Sequence, residues 1–289
     1  MRIIPPSELI INEDGSIFHL HLKPQQLADK LLLVGDPDRV TAIATYLDTI
    51  ECEVSSREFH TVTGTYRGKR LTVVSHGIGT DNIDIVLTEL DALANINFQT
   101  RTVNPQVRQL TIVRIGTSGG LQHFAPVGSY VAAEFSIGFD GVLYFYANNE
   151  MVRNHELERE LISQLEWPIH GVKPYVVAAD RSILEQIAGN EMVRGITIAA
   201  NGFYGPQGRE LRLPLATPNL NHRIEAFDYN GKKITNYEME SSSLAGLALL
   251  MGHKALTVCC IIAGRIDKNM NTAYKGSLAG LIETVLEKI

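Results

Sequence analysis

Three apolar runs end in glycine beside arginine or hydroxyl side chains. They are 31–34 into Gly35-Asp36-Pro37-Asp38-Arg39, 71–75 into His76-Gly77-Ile78-Gly79, and 110–115 into Gly116-Thr117-Ser118-Gly119-Gly120. Glycine at such a point lets backbone N–H groups approach an anion closely, and Thr117 and Ser118 add hydroxyl donors. Arg39 and Arg114 could then fork onto the oxygens of a phosphate group. Tight turns alone would also use these glycines. Arg114 weighs against that simpler reading, because a charged side chain within the apolar run LTIVRI is costly unless paired or bound. A dinucleotide site is poorly supported. Gly77-Ile78-Gly79-Thr80-Asp81-Asn82 has Asn82 where the third fingerprint glycine belongs, and no Walker A sequence occurs.

Two further groups could complement a ligand. Glu238-Met239-Glu240-Ser241 opens a helical stretch after 234–237, and two carboxylates two residues apart can face different ways. A carboxylate accepting from neighbouring hydroxyls is a natural reader of a ribose diol, although acidic residues also commonly complement a helix N-terminus. Gln207-Gly208-Arg209 offers one amide donor and acceptor edge followed by a donor-only guanidinium, which together complement the O2, N3–H and O4 edge of uracil. A solvated loop would carry the same tripeptide without function. His19 and His21 share a face, but no Cys, His or Asp cluster at ligand spacing joins them, so no metal is expected. The GxSxG hydrolase signal is absent.

Short strands must position these groups. Runs at 31–34, 110–115, 130–135, 175–179 and 256–262 read as strands, and 59–66 with 71–75 as a hairpin around Arg67-Gly68-Lys69. Helices are expected over 82–94, 239–251 and 278–288. Residues 95–109 read as a surface excursion, and 205–233 as the least regular stretch, a loop over a site. Mixed strands and helices without a long linker argue for one α/β domain spanning 1–289.

The whole chain has 289 residues, 26 basic against 32 acidic, a net charge of −6. This modest acidic excess, with no basic run, argues against a nucleic-acid footprint, so an anion must be held by a few placed arginines. No apolar stretch approaches the ~18 residues a membrane span needs. The start MRIIPPSELI carries prolines where a signal peptide needs an apolar core, so a cytoplasmic location is expected. Cys52, Cys259 and Cys260 cannot form a disulfide framework.

Taken together, the motifs resemble the nucleoside phosphorylase family, on its uridine-specific side. The carriers are FHL at 18–20, GDPDR at 35–39, SREF at 56–59, HGIG at 76–79 and RIGTSGG at 114–120. FYGPQGR at 203–209, NYEMESS at 236–242 and IAGR at 262–265 complete the set. The resemblance implies a central mixed β-sheet flanked by helices, acting in phosphorolysis of uridine to uracil and α-ribose 1-phosphate. It implies Gly35, Arg39, Arg114 and Thr117 at phosphate, with Arg57 from a neighbouring subunit. Met239 and Glu240 would hold the ribose, with the neighbour's copy of His19 at the 5′-hydroxyl. Phe203, Gln207, Arg209 and Arg265 would meet the base. A homo-oligomer follows, with the dimer as the site-forming unit and a hexamer as the larger assembly. Phosphate is a co-substrate, and no cofactor is implied.

The purine branch of the family places an aspartate beyond the strand that here ends Ile262-Ala263-Gly264-Arg265, where no carboxylate occurs until Asp267. That favours a pyrimidine. The alternatives are a purine nucleoside phosphorylase, a nucleosidase on the same scaffold, and a non-catalytic nucleoside-binding protein.

Overall fold

The computed structural model describes residues 2–266 and 268–289, so Asp267 lies outside the described residues. Leu31 to Val34 are apolar and fully buried, which requires cover on both faces of strand β1 (Lys30–Val34). In chain order follow α1 (Pro37–Ala44), β2 (Thr49–Ser56), β3 (Phe59–Tyr66), β4 (Lys69–Ser75) and α2 (Thr80–Asn95). The short pair β5 (Ile96–Asn97) and β6 (Thr102–Val103) precedes β7 (Thr111–Gly120) and β8 (Tyr130–Gly138). Next come α3 (His155–Gln164), β9 (Tyr175–Ala178), α4 (Arg181–Ile187), β10 (Met192–Ala199) and α5 (Leu220–Ala226). Then follow β11 (Ile234–Glu238), α6 (Ser241–Met251), β12 (Lys254–Gly264), β13 (Asn269–Met270) and α7 (Lys275–Lys288).

The sheet is mixed. β12 runs parallel to β7 and antiparallel to β8, while β8, β10, β11 and β7 pair in succession, so these five strands close into a ring. From β7 an open arm continues through β1, β4, β3 and β2. Alternation along β1 sends Leu31 and Leu33 into a core shared with α2 and α6, and Leu32 and Val34 into one shared with α1, α4 and α7. In β7 the same alternation places Ile112 on the α2/α6 side and Val113 and Ile115 opposite. Arg114 therefore lies on the face of Ile112, toward the start of α6.

The glycine run after Ile115 does not break the strand. β7 continues to Gly120, paired with β12 as far as Gly264 across a register shift at Ile262. The 205–233 stretch contains the short helix α5 and a turn over Gly205–Gln207. The excursion at 95–109 is a surface hairpin, and its Arg101 side chain donates to the carbonyls of Ile4 and Pro5, pinning the N-terminal segment. No helix among the described residues is long and apolar enough to cross a membrane.

Candidate active site

Arg114 sits at the centre of a buried ionic cluster. Its side chain is only 5% exposed, with Nη1 2.9 Å from Glu238 Oε2 and Nη2 paired with Glu240 Oε2. Its Nε lies 3.1 Å from His76 Nε2, and Nη1 3.8 Å from Cys259 Sγ. Burial alone would lower the guanidinium pKa, but Glu240 and Glu238 outweigh it and the value rises above the usual range. Burial pushes the Cys259 thiol up to about 12 against the opposing pull of Arg114, so it remains protonated.

The two glutamates do not diverge as their spacing suggested. Both reach Arg114 because β11 ends at Glu238 and the chain bends through Met239 and Glu240 before α6 begins. Glu238 also caps the helix, accepting from the backbone N–H groups of Glu240 and Ser241 at 3.0 Å and from Ser241 Oγ at 2.6 Å. Glu240 Oε1 accepts from Gly79 N at 2.6 Å. Burial raises the Glu240 pKa, Arg114 opposes the rise and Glu238 adds to it.

Gly116 matters for a different reason from the one its motif suggests. A Cβ there would lie 2.7 Å from Arg114 Nη1, so glycine leaves room for the guanidinium to fold back along its own strand. Gly77 and Gly79, with φ of 72° and 92°, do form the expected turn, at the start of α2. Arg39, in the first turn of α1, donates to the Ile115 carbonyl at 3.2 Å. Its pKa is lowered by burial and then by the charge of Arg114.

A second cluster surrounds the turn at 205–208. Gln207 is buried, and its Oε1 accepts from Arg209 Nη1 at 2.5 Å. The Arg209 guanidinium also donates to the Phe203 carbonyl at 2.6 Å and stacks 3.8 Å above the Phe203 ring centre. Burial, then the neighbouring Arg265, lowers the Arg209 pKa to about 10, which leaves it charged at neutral pH. Arg265 Nη2 donates to the carbonyls of Gln207 and Gly208 at 2.8 and 3.3 Å, while its buried Nε has no partner among the described residues.

Both clusters line one cavity of about 1380 Å³. Of the residues singled out from sequence, Gly35, Arg39, Arg114, Thr117, Phe203, Gln207, Arg209, Met239, Glu240 and Arg265 all line it. β7 is the ruler between them. A Cβ on Gly116 would meet Arg114, while one on Gly119 would lie 3.4 Å from Arg265 and 3.8 Å from Arg209. Three strand residues separate these contacts, about 10 Å.

His19 and Arg57 do not line this cavity. They meet elsewhere: Arg57 lies 5.9 Å over the Phe18 ring, and Phe18 stacks edge-on against His19 at 4.7 Å. Glu89 of α2 accepts from the His19 and Leu20 backbone N–H groups and from His19 Nδ1 at 2.6 Å. Sequence reasoning missed Glu89, His76, Tyr237 and Asn221. A lone His or Asn carries no spacing signal, and contacts across 38 to 70 residues are not written locally. The NYEMESS motif at 236–242 contains Tyr237 and could have pointed to it: its hydroxyl donates to Asn221 Oδ1 at 2.9 Å, with Asn221 Nδ2 donating in turn to the Gln207 carbonyl at 3.3 Å.

Known proteins resemble this chain in sequence and in fold. A curated uridine phosphorylase of Thermococcus kodakarensis is 28% identical over 267 residues, covering 90% of this chain and 82% of its own. A purine nucleoside phosphorylase of Aliivibrio fischeri is 25% identical over 244 residues, covering 84% of each chain. Among solved structures, a Trypanosoma brucei nucleoside phosphorylase, described as showing uridine phosphorylase activity, superposes with a TM-score of 0.87. It is 28% identical, and the match covers 97% of this chain and 98% of that one. The sequence profile of the phosphorylase superfamily matches residues 29–286, from the start of β1 into α7 and across every cavity-lining residue named above. The chain belongs to the phosphorylase superfamily.

Proposed function

We propose that the protein is a uridine phosphorylase, converting uridine and phosphate to uracil and α-ribose 1-phosphate. One observation carries the reading: Arg39 and Arg114, Met239 and Glu240, and Gln207, Arg209 and Arg265 all line a single cavity. The uridine phosphorylase names and activity of the Thermococcus and Trypanosoma relatives support it. Gly35, Arg39, Arg114 and Thr117 hold phosphate, Met239 and Glu240 the ribose, and Gln207, Arg209 and Arg265 the base, with Phe203 packing on the sugar or base.

The chemistry follows from charge. Breaking C1′–N1 sends the bonding pair to the base and leaves positive charge on the ribose. Phosphate on the opposite face stabilises that cation, then forms the new C1′–O bond, which inverts the anomeric centre. Gln207, Arg209 and Arg265 stabilise negative charge at O2 and O4, and the base takes its proton from solvent. Positioning and preorganised charge suffice, without a covalent enzyme intermediate. Phosphate is consumed as co-substrate, so the test is uracil release from uridine with and without it. Release should require phosphate; equal release in its absence contradicts the assignment and favours a nucleosidase.

His19 and Arg57 complete the site from a neighbouring subunit in this reading, because neither lines the cavity of its own chain. The dimer is then the smallest active unit, whether or not it assembles into a hexamer. Mixing inactive Arg57→Ala subunits with inactive Glu240→Ala subunits should restore activity, since some sites then receive both intact side chains. Mixed oligomers that stay inactive would refute donation across the interface.

A further inference from the structure

We propose that His76 is a positioning residue for the phosphate end of the cavity, a neutral imidazole that fixes the plane of Arg114 by accepting from its Nε. This rests on the reading of Gly35, Arg39 and Arg114 as the phosphate subsite. His76 directly follows β4 and is fully buried. A guanidinium only donates, so at 3.1 Å His76 Nε2 must accept from Arg114 Nε, which leaves the ring proton on Nδ1. Nδ1 itself has no hydrogen-bond partner among the described residues. Nε2 is therefore the ring nitrogen that meets another side chain.

The surroundings agree. Burial, then the charges of Arg114 and Arg39, hold His76 well below the usual imidazole range, so Nε2 keeps its lone pair. The ring also packs on the phosphate-side glycine: a Cβ on Gly35 would sit 3.7 Å from His76 Cε1 and 3.3 Å from the Gly77 carbonyl. Glu238 and Glu240 hold the Nη edge of the guanidinium, and an edge held alone can still rock. A third anchor at Nε, away from that edge, fixes the plane and so the directions of the remaining N–H groups. His76 contacts Arg114 and packs on Gly35 without lining the cavity itself.

The test is steady-state kinetics of His76→Leu and His76→Gln, varying phosphate at saturating uridine and uridine at saturating phosphate. His76→Leu should raise the phosphate KM about tenfold or more, as for loss of a hydrogen bond to a charged group. Its uridine KM should change by less than about threefold, since the lost contact acts on one substrate. His76→Gln, whose Oε1 can accept from Nε, should recover most of the loss. Lysine has no Nε–H to orient, so in an Arg114→Lys background His76→Leu should add less than about twofold. Equal rises in both KM values, no recovery with glutamine, or an undiminished penalty in the lysine background would each overturn the proposal and leave His76 as packing. If His76→Leu does not fold, His76→Asn, too short to reach Nε, takes its place in the same cycle. An unchanged phosphate KM in Arg114→Lys alone would instead contradict the phosphate subsite, a distinct outcome.

Discussion

Arg114→Ala should abolish most phosphate-dependent turnover and also destabilise the fold. Loss of a preorganised electrostatic contact costs about 10²–10³-fold in rate. Stability should fall by about 3–5 kcal/mol, because removing one partner of a buried ion pair strands the other. Here two carboxylates are stranded, Glu238 and Glu240, each almost wholly buried. Burial already raises the Glu240 pKa, and Arg114 is the main opposing charge, so its loss raises the value further. A carboxyl whose folded pKa lies above its unfolded value binds extra protons in the folded state, so stability falls as pH rises through that folded value. The variant's deficit in urea melts should therefore be larger near about pH 8 than near about pH 5.5. Equal deficits at both would mean that the carboxylates are not left facing each other.

Discrimination at the base end is the second large effect. Gln207 Oε1 accepts from Arg209, and an amide oxygen has a second lone pair to take N3–H of uracil. Cytosine offers an unprotonated N3 and an amino group where uracil has N3–H and O4, so the guanidinium would face a donor. A site built on hydrogen bonds can reject such a mismatch by about 10⁴-fold or more in kcat/KM. Cytidine should be a very poor substrate beside uridine. Gln207→Ala should lower uridine turnover and narrow the uridine-to-cytidine ratio, because the lost side chain reads N3–H and also holds Arg209. A substrate panel measures both. Efficient phosphorolysis of inosine or adenosine by the wild type would sink the pyrimidine assignment.

Much of the scaffold is legible in single residues. Leu31 to Val34 read as a buried strand because all four are apolar, and both faces are indeed covered. Edge strand β2 is not legible, since Thr49–Ser56 is largely exposed and its acidic residues mask the alternation. β10 hides behind Arg194 and Gly195 in the same way. Helix α5 is only seven residues long, too short to declare a period. At 116–120 local propensity misleads: glycine weakens a strand, yet pairing with β12 holds it, and the crossing side chains of Arg114 and Arg265 need the space. Arg114 is visible because a charge inside an apolar run is costly and has to be explained, and the other cavity residues through the glycine turns and the motifs that carry the family resemblance. The supports, His76 and Asn221 around the cavity and Glu89 behind His19, are not, because their partners lie elsewhere along the chain.

The most direct measurement follows the products of uridine cleavage by NMR in phosphate buffer, using ³¹P for the sugar phosphate and ¹H for uracil and the anomeric proton. Uracil and the α anomer of ribose 1-phosphate should appear in equal amounts, with inorganic phosphate consumed one for one. Free ribose accompanying the uracil, with phosphate untouched, would contradict phosphorolysis and remove the purpose assigned to Arg39 and Arg114.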